Sequence, residues 1–148
     1  MKRYVYVLAF VVSFMSLVAC SKNDPAPASP VVGRWELNRG LLSGFPTSTT
    51  SNVNGAAVDL YLFESYASKI DVFSDNTFNE NYSTNLLVND AGGTWGFTNN
   101  TLTLTYDVGG QDVYTYSKNK NIEELTITTP QNYTLGSTVG KIQVIYRK

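Results

Sequence analysis

The chain has 148 residues, with 11 basic and 12 acidic side chains, no histidine and one cysteine, which is the length of a single domain. A net charge near zero argues against a nucleic-acid partner, which needs a basic face opposite its phosphates. The missing histidine removes His-based triads, general bases and metal ligands, and one cysteine allows no internal disulfide.

Lys2 and Arg3 open the chain, and Tyr4 to Ala19 carries no charge. This run is shorter than the ~20 apolar residues of a membrane-spanning helix and has the layout of a secretory signal peptide over residues 1–19. It ends in Leu17-Val18-Ala19-Cys20, followed by Ser21. The ending resembles the lipobox of bacterial lipoproteins. The resemblance implies cleavage before Cys20 and acylation of Cys20, and two or more acyl chains hold a protein stably on a membrane. Ser21 stands where many lipoproteins retained at the Gram-negative inner membrane carry aspartate. The resemblance therefore points to a cell-envelope protein anchored at the outer membrane, in the periplasm or exposed at the surface. After Cys20, the segment to residue 31 holds Pro25, Pro27 and Pro30 among Ala, Ser and Asn, and reads as an extended tether.

From residue 32 to 148 the apolar pattern has period two. Strands are predicted at Gly33–Asn38, Lys69–Phe73, Thr77–Ser83, Gly93–Thr98, Thr101–Tyr106, Gln111–Tyr116, Glu123–Thr129 and Lys141–Arg147, bounded by Gly, Asn, Asp and Ser. Val58–Ala67 fits a strand or a short amphipathic helix, and Thr47–Asn54 reads as a polar surface loop. Asn99-Asn100 suits a two-residue hairpin turn. Such a turn pairs Phe97 with Leu102 and Trp95 with Leu104. It leaves Thr94, Gly96, Thr98, Thr101, Thr103 and Thr105 on the other face, as in a sheet with core on one side and water on the other. A two- or four-residue turn around Gly109-Gly110 then places Val113 on the core face and Asp112, Tyr114 and Tyr116 on the threonine face. About eight short antiparallel strands with one apolar face must close or stack. The expected fold is all-β, a single up-and-down barrel of roughly eight strands, with a small sandwich as the alternative.

Gly33-Arg34-Trp35-Glu36-Leu37 resembles the Gly-x-Trp opening of a lipocalin-like domain. Phe73-Ser74-Asp75-Asn76-Thr77-Phe78, then Gly93-Thr94-Trp95-Gly96-Phe97 and Leu102-Thr103-Leu104, resemble in order and spacing the lipocalin-like domains of small Gram-negative lipoproteins. The likeness spans residues 32–148. It implies an eight-stranded barrel with a possible ligand cavity, and an arginine near the last strand, here Arg147, packed over the first tryptophan, Trp35, by a cation–π contact.

Ligand-stacking candidates are Trp35 and Trp95, set against a plain role as core anchors, and Tyr114 and Tyr116, whose i, i+2 spacing suits a platform for sugar or peptide. Tyr61, Tyr66, Tyr82, Tyr106, Tyr133 and Tyr146 raise the same question. The carboxylates Glu64, Asp71, Asp75, Glu80, Glu123 and Glu124 are the acid–base candidates, but two-carboxylate glycoside hydrolysis needs a facing pair, and they read as solvated surface charge. Asp75, Asn79 and Glu80 lack the glycine and terminal glutamate of a calcium loop. The expectation is a monomeric, non-enzymatic lipoprotein without cofactor or metal, anchored to a membrane by lipid, whose barrel binds a small apolar or amphipathic ligand. The alternative is a filled barrel whose outer face meets an envelope protein or a glycan.

Overall fold

The computed structural model describes residues 28–47, 52–85 and 87–148. The signal peptide, Cys20 and the tether as far as residue 27 lie outside the described residues, as do residues 48–51 of the polar loop. Ten strands follow in chain order: β1 (Gly33–Ser43), β2 (Ala57–Val58), β3 (Tyr66–Val72), β4 (Thr77–Thr84), β5 (Leu87–Thr98), β6 (Thr101–Tyr106), β7 (Gln111–Asn119), β8 (Ile122–Ile127), β9 (Gln131–Leu135) and β10 (Thr138–Arg147). One short helix, α1 (Leu60–Glu64), lies between β2 and β3. Eight strands run β1-β3-β4-β5-β6-β7-β8-β10, each antiparallel to the next, and β10 pairs back onto β1. The sheet is thus a closed up-and-down barrel and not a sandwich. β2 is added alongside β1, and β9 alongside β10. Closure pairs strands that would otherwise expose an edge.

The β5–β6 hairpin has the expected register, with Trp95 opposite Leu104 and Phe97 opposite Leu102. Asn99 and Asn100 both take positive φ, 49° and 60°, the mirror-image turn that matches strand twist. Gly93 is required where β5 crosses β6, because a Cβ there would run into the Thr105 carbonyl.

The next turn corrects the expected parity. Thr105 pairs with Gln111, and the Tyr106 amide bonds to the Gly110 carbonyl across a loop of Asp107, Val108 and Gly109. An odd loop, made possible by Gly109 and Gly110 at φ 93° and 94°, inverts every later position of β7. Tyr114 lies opposite Leu102 on the core face, Asp112 and Tyr116 share that face, and Val113 lies opposite Thr103 on the outer one.

The ambiguous segment from Val58 resolves as strand, helix and strand. Asp59 caps α1, accepting hydrogen bonds from the Tyr61 and Leu62 amides at 2.9 and 3.1 Å. Ser65 ends it in the left-handed conformation.

Two ends of the barrel follow from the chain's course. At one, β1 begins, β10 ends and the β5–β6 turn lies. Trp35, Ile70, Leu102, Leu104 and Leu125, all 0% exposed, fill the barrel from this end toward its middle, each aliphatic side chain contributing roughly 2 kcal/mol of burial. Trp35 donates its indole N–H to the Val31 carbonyl at 2.7 Å and meets Tyr116 edge-on at 6.1 Å. The cation over Trp35 is Lys148, with Nζ 5.4 Å from the ring centroid, and not Arg147. Strand alternation explains the correction: Tyr146 points inward opposite Leu37, so Arg147 points outward, where it donates to Glu124 at 2.7 Å.

Candidate functional site

The other end is open. There α1 lies against the mouth, and β9 with the start of β10 extends beyond it. Inside is a cavity of about 370 Å³, lined by Leu60 and Glu64 of α1, Tyr66 of β3, Glu80 of β4, Asp112 and Tyr114 of β7, Ile127 of β8, Tyr133 of β9, and Ile142, Val144 and Tyr146 of β10. These residues come from seven elements separated in sequence, so only barrel closure brings them together.

Glu80 is 7% exposed, which corrects the expectation that the carboxylates are all solvated surface charge. Ser68 Oγ donates to Glu80 Oε1 at 2.7 Å, and the Tyr146 hydroxyl donates to Ser68 Oγ at 3.0 Å. The Tyr106 hydroxyl lies 2.7 Å from Glu80 Oε2 and 3.0 Å from Asp112 Oδ2. A buried carboxylate persists only when its oxygens receive such donors. Burial and the neighbouring Glu80 push the Tyr106 phenol far above its ordinary range, and burial does the same for Tyr114 and Tyr146. All three phenols stay protonated at physiological pH.

At the mouth the Tyr133 hydroxyl donates to Glu64 Oε1 at 2.6 Å, tying β9 to α1. That bond, with burial and the charge on Glu64, pushes the Tyr133 phenol up to about 12. The rim is apolar. Tyr61, Leu62 and Phe63 on α1, Leu87 and Val88 on β5, Val108 in the β6–β7 turn, and Leu135 and Val139 on the β9–β10 hairpin are all exposed, and all lie at this end. A second hollow of about 300 Å³ lies where β1 and β3 part, lined largely by solvent-facing residues such as Glu36, Asn38, Lys69 and Asn81. Ser68 and Tyr66 border it from the interior side, but Glu80, Asp112 and Tyr114 do not.

The sequence candidates are distributed as follows. Tyr114, 2% exposed, lines the cavity. Tyr116 lies on the same inner face but toward the filled end, edge-on to Trp35 and to Phe97 at 5.9 Å. Trp35 plugs that end. Trp95 is half-buried and donates its indole N–H to the Phe73 carbonyl at 2.8 Å. The outward tyrosine platform for a sugar or peptide is therefore not formed. Asp75 accepts from both the amide and the hydroxyl of Thr77, while Asn79 and Glu80 point to opposite faces. Among the described residues no cluster of three acidic or thiol side chains could hold a metal ion.

Asp112 and Ser68 are the residues sequence reasoning did not name for a site, and Glu80 is the one it named but read as surface charge. A signal existed for Glu80, which is two residues from Phe78 and so shares its face. Comparison with protein-family models, with curated proteins and with solved structures returned no match.

Proposed function

We propose that the chain is a non-enzymatic, lipocalin-like lipoprotein of a Gram-negative cell envelope, held at the outer membrane by lipid on Cys20, and that its barrel binds one small amphipathic molecule. The observation that carries the binding reading is the cavity of about 370 Å³ in the open half of the barrel. It lies within the roughly 300–1,000 Å³ range of small-molecule sites and sets an apolar strip, Leu60, Ile127, Ile142 and Val144, against carboxyl, hydroxyl and amide side chains, as an amphipathic guest requires. The apolar rim supports entry of an amphipathic guest from that end. The anchor reading rests on Leu17-Val18-Ala19-Cys20. The described chain enters the barrel beside Trp35, at the end opposite the mouth.

Mass spectrometry of the full chain isolated from bacterial envelopes tests both halves. The intact mass is expected to show cleavage before Cys20 with an acyl-bearing adduct. Solvent extraction is expected to release about one equivalent of a small amphiphile, lost in Val144→Phe, where a larger side chain occupies the cavity. An unprocessed, unacylated chain would overturn the anchor. An amphiphile content identical in wild type and Val144→Phe would overturn the cavity as the binding site.

A further inference from the structure

Counting hydrogen-bond donors around the cavity gives a shortfall. The Tyr106 hydroxyl has one proton but lies within hydrogen-bond distance of two carboxylates, Glu80 at 2.7 Å and Asp112 at 3.0 Å. The Tyr146–Ser68 chain runs toward Glu80 and ends there. If Tyr106 donates along its shorter bond, Glu80 has a donor on each oxygen and Asp112 has none from this network. Tyr106 is the only side-chain partner of Asp112 among the described residues. A second group is likewise unpaired. Tyr114 lines the cavity and is 2% exposed, yet its hydroxyl makes no hydrogen bond among the described residues.

Charge gives a third, separate constraint. Glu64, Glu80 and Asp112 line the cavity, and among the described residues no lysine or arginine does. Among the described residues near this end, Lys69 points outward from β3, Arg39 donates to Glu124 on the outer face, and Lys141 lies on the face of β10 opposite Ile142 and donates to Asn132 at the rim, at 2.6 Å. An anionic head group would meet three negative charges, the buried Glu80, the part-buried Asp112 and the exposed Glu64 at the mouth, without an opposing charge in the lining. A head group carrying positive charge and several N–H donors supplies what Asp112 lacks, and its remaining donors can reach the Tyr114 hydroxyl oxygen.

We propose that the ligand is an amphipathic amine, its protonated nitrogen bound by Asp112 and Tyr114 and its apolar part lying along Ile127, Ile142 and Val144 toward the rim. This rests on the binding reading given above and specifies its chemistry. The guest is held by charge-assisted hydrogen bonds, which are shorter and stronger than neutral ones, while Glu80, already satisfied by Ser68 and Tyr106, positions the Tyr106 hydroxyl beside Asp112.

The test uses the full chain in lipid nanodiscs, with empty discs as blank, and four probes sharing one octyl chain: octylammonium, octyl glucoside, octanol and octanoate. The readout is the ring resonance of Tyr114 in carbon-13 tyrosine-labelled protein, assigned with Tyr114→Phe. Octylammonium is expected to bind at least about tenfold more tightly than the other three, and Asp112→Asn, close to isosteric, is expected to bring octylammonium down to the level of octanol in the same variant. Octyl glucoside, octanol or octanoate binding as tightly as the amine to the wild type would overturn the amine and leave a binding barrel of other specificity. Amine preference persisting in Asp112→Asn would overturn Asp112 as its partner. No shift with any of the four probes would overturn the binding reading itself. The ranking on unmodified protein does not depend on any variant folding.

Discussion

Glu124 lies on the outer face of β8 between two guanidinium groups. Arg147 donates to its Oε1 at 2.7 Å, and Arg39 donates at 3.0 and 3.3 Å. With its side chain only 19% exposed, the pair is less screened than a surface ion pair. The two arginines hold the carboxyl below its ordinary value of 4.5, against a smaller opposing effect of burial. The folded state therefore binds this proton more weakly than the unfolded chain does, and the stabilisation is complete above 4.5 and is lost as pH falls through the lower folded-state value. Glu124→Gln is expected to cost about 1 kcal/mol at pH 7. Urea titrations of both proteins should show the difference closing toward roughly pH 3. A gap that persists in acid would mean that packing, and not charge, is what the substitution removed. Glu123 and Glu124 are neighbours on one strand, so their pointing to opposite faces is legible in the sequence, but their partners are not. Arg39 faces outward only because β1 shifts register between Leu37 and Arg39, and no composition signal marks that bulge. Glu80 and Asp112 were hidden for a similar reason. An acidic residue on a strand reads as solvent-facing until the parity of its strand is fixed, and for β7 one loop length fixed it the other way.

Among the elements, hairpin turns decided how much could be read. Asn99-Asn100 lies between two clean alternating runs, so loop length and register came together, and the pairing of Trp95 with Leu104 follows. The turn at Asp107–Gly110 offers no such constraint, because two glycines permit even or odd loops. β9 was not legible at all. Its sequence, Gln-Asn-Tyr-Thr-Leu, has little apolar alternation, since it pairs with β10 at the open end and covers a mouth instead of a core. β2, two residues long, leaves no pattern either. The asparagine turn also makes a direct test of why these residues stand there. Asn100 has φ 60°, a conformation glycine reaches without steric cost, and Asn-Gly is the preferred pair for this turn. Asn100→Gly is expected to raise stability by about 0.5 kcal/mol, read as a higher urea midpoint at unchanged slope. A lower midpoint would show that the asparagine side chain, and not its tolerance of positive φ, is what the turn needs.

Over the whole molecule, stability and the candidate function occupy different halves of one barrel. Toward the end where the chain enters, Trp35, Ile70, Leu102, Leu104 and Leu125 are sealed from water, and native interiors are packed densely enough that a missing side chain leaves a cavity. Toward the other end the same eight strands enclose empty volume, with polar groups that a packed interior would not keep. The two halves should therefore respond oppositely to a change in side-chain size. Leu125→Ala removes packed atoms from a site with no room to collapse, and is expected to cost about 3 kcal/mol. Val144→Phe, 8% exposed and facing the cavity, adds atoms where space exists. Its expected effect on thermal stability is neutral or favourable, because apolar area is buried without the overpacking strain of about 1–3 kcal/mol met in filled cores. Calorimetric melting of the two variants, set beside their amphiphile content, separates the cases. If Val144→Phe melts well below wild type, the open half is packed in solution and the cavity is not a site. If it melts as high as wild type while its ligand is lost, the barrel is stable without needing that volume filled, and the hollow half is left free to serve binding.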